Sequence, residues 1–207
     1  MGTKPQPRAE ATIAALLDAT VARLDAGDED AIRIDEILAE TGVSRGSLYH
    51  HFGDRQGLVD AANLELSARR SRKDIAALTR LIDRASTADE LLTSLRGLTE
   101  QTQSPARRIN RIQRARLVGQ IGSGRFAAEF EAFQHEVNTA FATVIARAQA
   151  KGTVNPELDP KALAVFIQAY TFGRVLGDLD SNPLDPMAWN TLIDTVLDRV
   201  VRPSPAR

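Results

Sequence analysis

The 207-residue chain contains no cysteine. That absence excludes a disulfide, a thiolate metal site and a thiol nucleophile. Histidine is scarce as well, with three in the whole chain. Glu131 and His135 come nearest to a carboxylate–histidine metal pair, but their spacing is not the Glu-x-x-His of helical di-metal sites, and the pattern occurs once. The sequence therefore supplies no catalytic residue, no metal site and no need of a cofactor, and an enzyme built on a helical bundle remains only as a rival reading. No apolar run reaches the ~18–20 residues that cross a bilayer. The opening MGTKPQPRAEAT lacks the apolar stretch of a secretory signal. The expectation is a cytoplasmic protein. A net charge of −1 excludes binding of a polyanion through bulk charge alone, though it leaves room for a local basic patch.

What is present is helical. Hydrophobic residues make up 43% and charged residues 26% of the chain, as in an ordinary globular protein. The charge is unevenly spread. Residues 1–60 carry six Lys/Arg against eleven Asp/Glu, a net of −5, and residues 61–120 carry twelve against six, a net of +6. Apolar positions recur at helical spacing and no alternating strand pattern is visible, so the expected fold class is all-α with about nine helices. Ile13, Leu16, Leu17, Val21 and Leu24 form one stripe over 9–26, which Gly27 ends. Short helices are expected over 34–41 and from the Ser44 cap to His51. A long helix should begin at Arg55 behind the cap Asp54. Thr87 to Glu90 has a capping-box pattern, and Ser104-Pro105 opens an arginine-rich helix ended by Gly122 or Gly124. A further helix should run from about Arg125 to Gly152. Asp159-Pro160 and Asp185-Pro186 each read as a cap followed by proline at the first helical position, and Pro203 and Pro205 mark a frayed tail.

The segment from Ile34 to Leu58, IDEILAETGVSRGSLYHHFGDRQGL, reads as helix, glycine-containing turn, helix, turn and new helix. That is the layout of a helix-turn-helix. Gly42 can take the positive φ of the tight turn. Val43 and Leu48 can pack inward, which turns Arg45, Ser47, Tyr49 and His50 outward as donors for phosphate oxygens and base edges. Adjacent helical residues point about 100° apart, so His50 and His51 cannot both face a ligand, and His51 is the structural one. A plain reading of Tyr49, as a ring at the edge of the core with a solvated hydroxyl, stays open.

These residues resemble the TetR family of bacterial transcriptional regulators. The matching run is Ile37, Gly42-Val43-Ser44, Gly46, Leu48-Tyr49-His50-His51-Phe52 and Leu58, and the resemblance covers about residues 8–62. It implies a helix-turn-helix DNA-binding domain over 1–54. A ligand-binding and dimerisation domain would follow over 55–207, the helix from Arg55 being shared. It implies that Ser44, Arg45 and Ser47 approach bases or flanking phosphates, and that Gly46 lets the helix approach the DNA backbone. Tyr49 and His50 would contact phosphate, Arg55 would hold phosphate near its helix's positive end, and Phe52 would be a buried anchor. Leu38 stands where the family usually has alanine. The acids between Asp25 and Asp30, with Asp35 and Glu36, are expected to face away from the duplex, and Lys4 and Arg8 to form an arm on its backbone.

For the rest of the chain the resemblance implies a cavity among the central helices. Pocket candidates are Phe130, Phe133, Gln134, Phe166 and Tyr170. The stripe Phe126, Phe130, Phe133, Val137, Phe141, Val144 and Ile145 reads equally as plain core, and His135 falls outside it. Five arginines in RRINRIQRAR, with Arg107, Arg111 and Arg114 on one face, allow several readings: ion pairs to the acidic first domain, an acidic ligand, a solvated and salt-bridged face, or added phosphate contacts. The last two helices should form a homodimer interface through Leu163, Phe166, Ile167 and Tyr170, and through Trp189, Leu192, Ile193, Val196, Leu197 and Val200. Gly173 and Gly177 would allow close approach. The implied function is a one-component regulator, a repressor that a small apolar or amphipathic effector releases from a double-stranded, pseudo-palindromic operator. When bound it would be nucleoid-associated. An activator, or a regulator controlled by a protein partner, stays open.

Overall fold

The computed structural model describes residues 7–27, 32–120 and 127–202. Among the described residues there are nine α-helices and no strand, as the all-α expectation has it. They are α1 (Pro7–Asp25), α2 (Ile34–Thr41), α3 (Arg45–Phe52), α4 (Arg55–Arg84), α5 (Ala88–Gln103), α6 (Arg108–Gln120), α7 (Ala127–Ala150), α8 (Pro160–Leu179) and α9 (Pro186–Val201).

Side-chain caps start these helices where the sequence places them. Ser44 Oγ accepts the Ser47 N–H at 3.2 Å, and Asp54 Oδ1 accepts the Gly57 N–H at 2.7 Å. Thr87 Oγ1 accepts from Glu90 N–H at 3.2 Å, while the Glu90 carboxylate reaches the N–H of Ser86 at 2.8 Å, one residue before its usual target. Asp159 and Asp185 cap α8 and α9 at 2.7 and 2.9 Å. Each such cap contributes about 1 kcal/mol by satisfying a helix-end donor. Gly42, at φ 66°, ends α2 in the left-handed conformation that the tight turn needs.

Two boundaries differ from expectation. The helix α1 begins two residues early, at Pro7, a residue suited to a first turn. Ser104-Pro105 opens a single 3-10 turn, Pro105–Arg107, and α6 starts only after it. Lys4, the acids 28–30, Gly122, Gly124, Arg125, Phe126, Pro203 and Pro205 lie outside the described residues, as do the side chains of Arg8, Val118 and Val200.

The chain divides into two compact units. The first comprises residues 1–70 with 119–130, and the second 71–118 with 131–207. The helix α4 is divided between these units at Arg70, and its first half closes the core of the first unit. There Leu58, Val59, Ala62 and Leu66 pack with Leu16, Val21 and Leu24 of α1, Ile37 of α2, and Leu48 and Phe52 of α3. Leu38 packs half-buried at the edge of this core.

In the second unit, α5 packs against α8 and α9. Its core joins Leu78 and Ile82 of α4, Leu91 and Leu92 of α5, and Val137, Phe141, Val144 and Ile145 of α7, with Leu163, Ile193 and Leu197. Most of the aromatic stripe on α7 is therefore core. The Lys151 ammonium, just past α7, donates to the carbonyls of Ile82 (2.6 Å), Asp83 (3.2 Å) and Ala85 (2.8 Å), meeting the negative end of α4 with a cation.

Candidate nucleic-acid interface and ligand cavity

Alone, an eight-residue helix such as α3 is too short to persist in water. Leu48 and Phe52, at 0% and 4% exposure, hold it to the first unit's core, and its remaining face is turned to solvent. Ser44, Arg45, Gly46, Tyr49 and His50 are exposed, Ser47 is half-buried, and the Tyr49 ring keeps 43% of its surface. That is a short row of donors on a rigid support. His51 is half-buried, its ring edge-on to both His50 and Phe52. A Cβ added to Gly46 would meet no atom within 4 Å, so nothing inside the protein requires glycine there.

Three features of this surface escaped the sequence. Arg45 is paired with Asp35 of α2, so that carboxylate stands beside the outward arginine, contrary to the expectation that it faces away. Arg55 is exposed at the start of α4, but its Nε donates to the Ile32 carbonyl at 3.0 Å and ties that start to the chain entering α2. The acids of α1 are answered from α4. Arg70 meets Asp25 at 2.7 Å, and Arg69 meets Asp18 and also Glu65, the latter at 2.7 Å. Those hydrogen bonds, Glu65's first, hold the Arg69 proton above its usual affinity. The −5 of residues 1–60 thus stops short of the arginines that offset it.

The second unit contains a cavity of about 100 Å³. Leu78 and Ile82 of α4, Leu95 and Leu98 of α5, and Phe141 and Ile145 of α7 supply much of its apolar wall. Ser71, Asp74, Thr99, Arg114, Gln168 and Tyr170 supply polar groups. Tyr170 is the one pocket candidate that lines it. Burial raises the pKa of its hydroxyl, which lies 3.5 Å from Thr99 Oγ1. Gln134 sits behind the wall, donating to Gln168 at 3.0 Å and Asn138 at 2.9 Å. Phe166 is on the outside, 36% exposed, because the inner face of α8 is set by Leu163, Ile167 and Tyr170. Phe130 and Phe133 are half-buried, Phe133 against the core rather than in the cavity wall.

The arginine-rich helix is salt-bridged at Arg111, but there the pair is buried rather than on a solvated face. Arg111 is buried and clasps Asp178 of α8 in a two-pronged pair, at 2.6 and 2.9 Å, while its third nitrogen donates to the carbonyls of Thr102 and Ser104. Arg108 donates to the Asp178 carbonyl at 3.0 Å, and Arg174 stands 3.4 Å from the same carboxylate. The Arg111 hydrogen bond, against some burial, holds the Asp178 carboxyl below the usual range.

The expected interface residues fall on both sides of the wall. Leu163, Ile193 and Leu197 are buried within the chain, at 6%, 4% and 3% exposure, so no partner could cover them further. Ile167 lines the cavity and Trp189 packs on the core. Val196 is half-buried, and Leu192 is exposed. The exposed large apolar residues of α8 are Val165, the expected Phe166, Leu176 and Leu179, and those of α9 are Met187 and Leu192. The helix α8 is apolar on two sides, and periodicity cannot rank them. Gly177 serves the chain itself, since an added Cβ would meet Leu184 at 3.0 Å, whereas beside Gly173 nothing lies within 4 Å.

Known proteins share this fold. The family description "Bacterial regulatory proteins, tetR family" matches residues 16–62, and "Tetracyclin repressor-like, C-terminal domain" matches residues 81–196. An HTH-type transcriptional regulator BetI from Cronobacter sakazakii is 37% identical over 89 residues, which are 42% of this chain and 43% of that protein. The chain thus spans less than half the length of that relative. Among solved structures, a TetR-family transcriptional regulator from Pectobacterium atrosepticum superposes with a TM-score of 0.61 at 21% identity, over 95% of each chain. A protein from Saccharomonospora viridis, described as a transcriptional regulator and solved in complex with choline, gives 0.56 at 15% identity, over 91% of this chain and 96% of that one. No helix among the described residues is long and apolar enough to cross a membrane. With a helix-turn-helix of this form and a family match over more than half its length, the chain belongs to the TetR family of bacterial transcriptional regulators.

Proposed function

We propose that the protein is a homodimeric repressor that occupies a pseudo-palindromic operator and leaves it when a small effector enters the cavity of the second unit. The observation that carries this reading is the exposed row Ser44, Arg45, Gly46, Tyr49 and His50 on a helix whose other face is buried. Two such helices, one per protomer and about 34 Å apart, read equivalent half-sites in successive major grooves. Ser47 and Arg55 flank the row and complete the contact set. The exposed apolar residues of α8 and α9 support dimerisation with a second copy, since apolar side chains left in water favour a partner. Effector binding acts through α4, which lines the cavity with Leu78 and Ile82 and begins at Arg55, directly after α3. A 100-fold loss of operator affinity needs about 2.7 kcal/mol of coupling. Choline, held by the Saccharomonospora viridis protein, is a poor candidate here, because Arg114 already places a cation in the cavity wall.

The test is fluorescence anisotropy with genomic fragments, including the protein's own promoter region. One preferred site with two half-sites is expected, and Arg45→Ala or Tyr49→Phe should weaken it about tenfold without changing the oligomer seen in sedimentation. Uniform binding to all fragments, or unaltered affinity in both variants, would sink the reading.

A further inference from the structure

Two arginines one turn apart on α6 have opposite fates. Arg111 has every side-chain nitrogen engaged, by Asp178 or by carbonyls. Arg114 lines an apolar cavity, and among the described residues no carboxylate stands within ion-pair distance of it. Burial pulls its guanidinium below its ordinary proton affinity, and Asp74 opposes that only through space. A guanidinium remains charged at any accessible pH, so an apolar wall around it is costly until an anion arrives. Its planar fork suits the two oxygens of a carboxylate. The Tyr170 hydroxyl lines the same cavity, and burial keeps its proton on, so it can donate as well.

We propose that the effector is a small amphipathic monocarboxylic acid whose carboxylate pairs with Arg114 and whose apolar body lies against Leu78, Ile82, Leu95 and Phe141. The proposal rests on the reading of this cavity as the effector site and adds its charge preference. One guanidinium balances one negative charge. Asp74 sets the limit on affinity, since it repels the same carboxylate that Arg114 attracts. A cavity of about 100 Å³ suits a body on the order of a benzene ring before any rearrangement.

Calorimetric titration of the full-length protein with benzoate, benzyl alcohol and benzylamine, and with hexanoate, hexanol and hexylamine, tests this directly. Each acid should bind at least tenfold tighter than its alcohol, with the amine weakest. Arg114→Gln should remove the preference for the acid while alcohol binding persists, Arg114→Lys should keep part of it, and Asp74→Asn should tighten acid binding. Equal binding of acid and alcohol, tightest binding of the amine, weaker acid binding in Asp74→Asn, or no binding by either acid would overturn the proposal. Operator affinity separates the two claims. An acid that binds through Arg114 without releasing DNA would refute the effector role and leave the charge preference standing, whereas release by the alcohols alone would do the reverse.

Discussion

Among the described residues, the first unit buries no charged side chain, whereas the second buries Arg111 and Arg174 besides carrying surface pairs such as Arg147–Asp83. In the first, Arg45–Asp35, Arg70–Asp25 and Arg23–Glu40 each keep at least one partner more than half exposed. Such pairs contribute little to stability, with a median of about 0–1 kcal/mol. The core beneath them is aliphatic apart from Phe52. In the second unit Arg111 and Asp178 are 6% exposed each, Arg174 is equally buried, and Arg114 faces a void. Among the described residues, the buried side-chain atoms without a hydrogen-bond partner, on Gln103, Arg174, Trp189 and Asn190, all belong to the second unit. The difference fits the two tasks proposed above. A reading surface needs a rigid support and groups free to leave weak partners for DNA. A ligand site needs room and unspent polar capacity inside, which lowers the cost of rearrangement there.

The largest effect that would sharpen this comparison is expected at Asp178. Asp178→Asn leaves Arg111 without its counter-charge in a buried place, and loss of one partner of such a pair costs about 3–5 kcal/mol. The Arg111 hydrogen bond depresses the folded-state pKa of Asp178, so its contribution is complete above the unfolded value of about 3.9 and is lost as pH falls below it. Urea unfolding at pH 7 and near pH 3 should show a large deficit that shrinks on acidification. A deficit under 1 kcal/mol at pH 7 would mean that the second unit does not depend on its internal charges.

Next comes Gly46→Ala. With no protein atom near the new methyl, the unfolding midpoint should rise, by up to about 1 kcal/mol of helix propensity, while operator affinity falls about tenfold. A gain in stability without a loss of binding would show that DNA never approaches this residue. The smallest effect is expected from Asp35→Asn. Freed of its partner, Arg45 should bind random DNA a few-fold tighter at low salt, with little change in melting temperature. An unchanged non-specific affinity in a salt titration would remove Asp35 from the reading surface.

Local signals made much of this legible. The Gly42 turn, the Ser44, Asp54, Asp159 and Asp185 caps and the inward Leu48 and Phe52 all follow from residues within a few positions of one another. What stayed hidden is long-range. Arg69 and Arg70 reach back over some 45–51 residues to Asp18 and Asp25, which no window along the chain would pair. The cavity draws on six helices, so its polar members, Asp74, Thr99, Arg114 and Gln168, carry no common spacing. On α8 both faces are apolar, and only packing decides that Leu163 turns in while Val165 turns out.

The void in the second unit also has a volumetric consequence. A folded unit that encloses empty space surrenders that space when it unfolds, and hydrostatic pressure favours whichever state is smaller. The cavity of about 100 Å³ corresponds to tens of mL/mol, within the ordinary span of protein unfolding volumes. Compression would therefore act on the second unit through this space, and a guest that filled it would harden that unit.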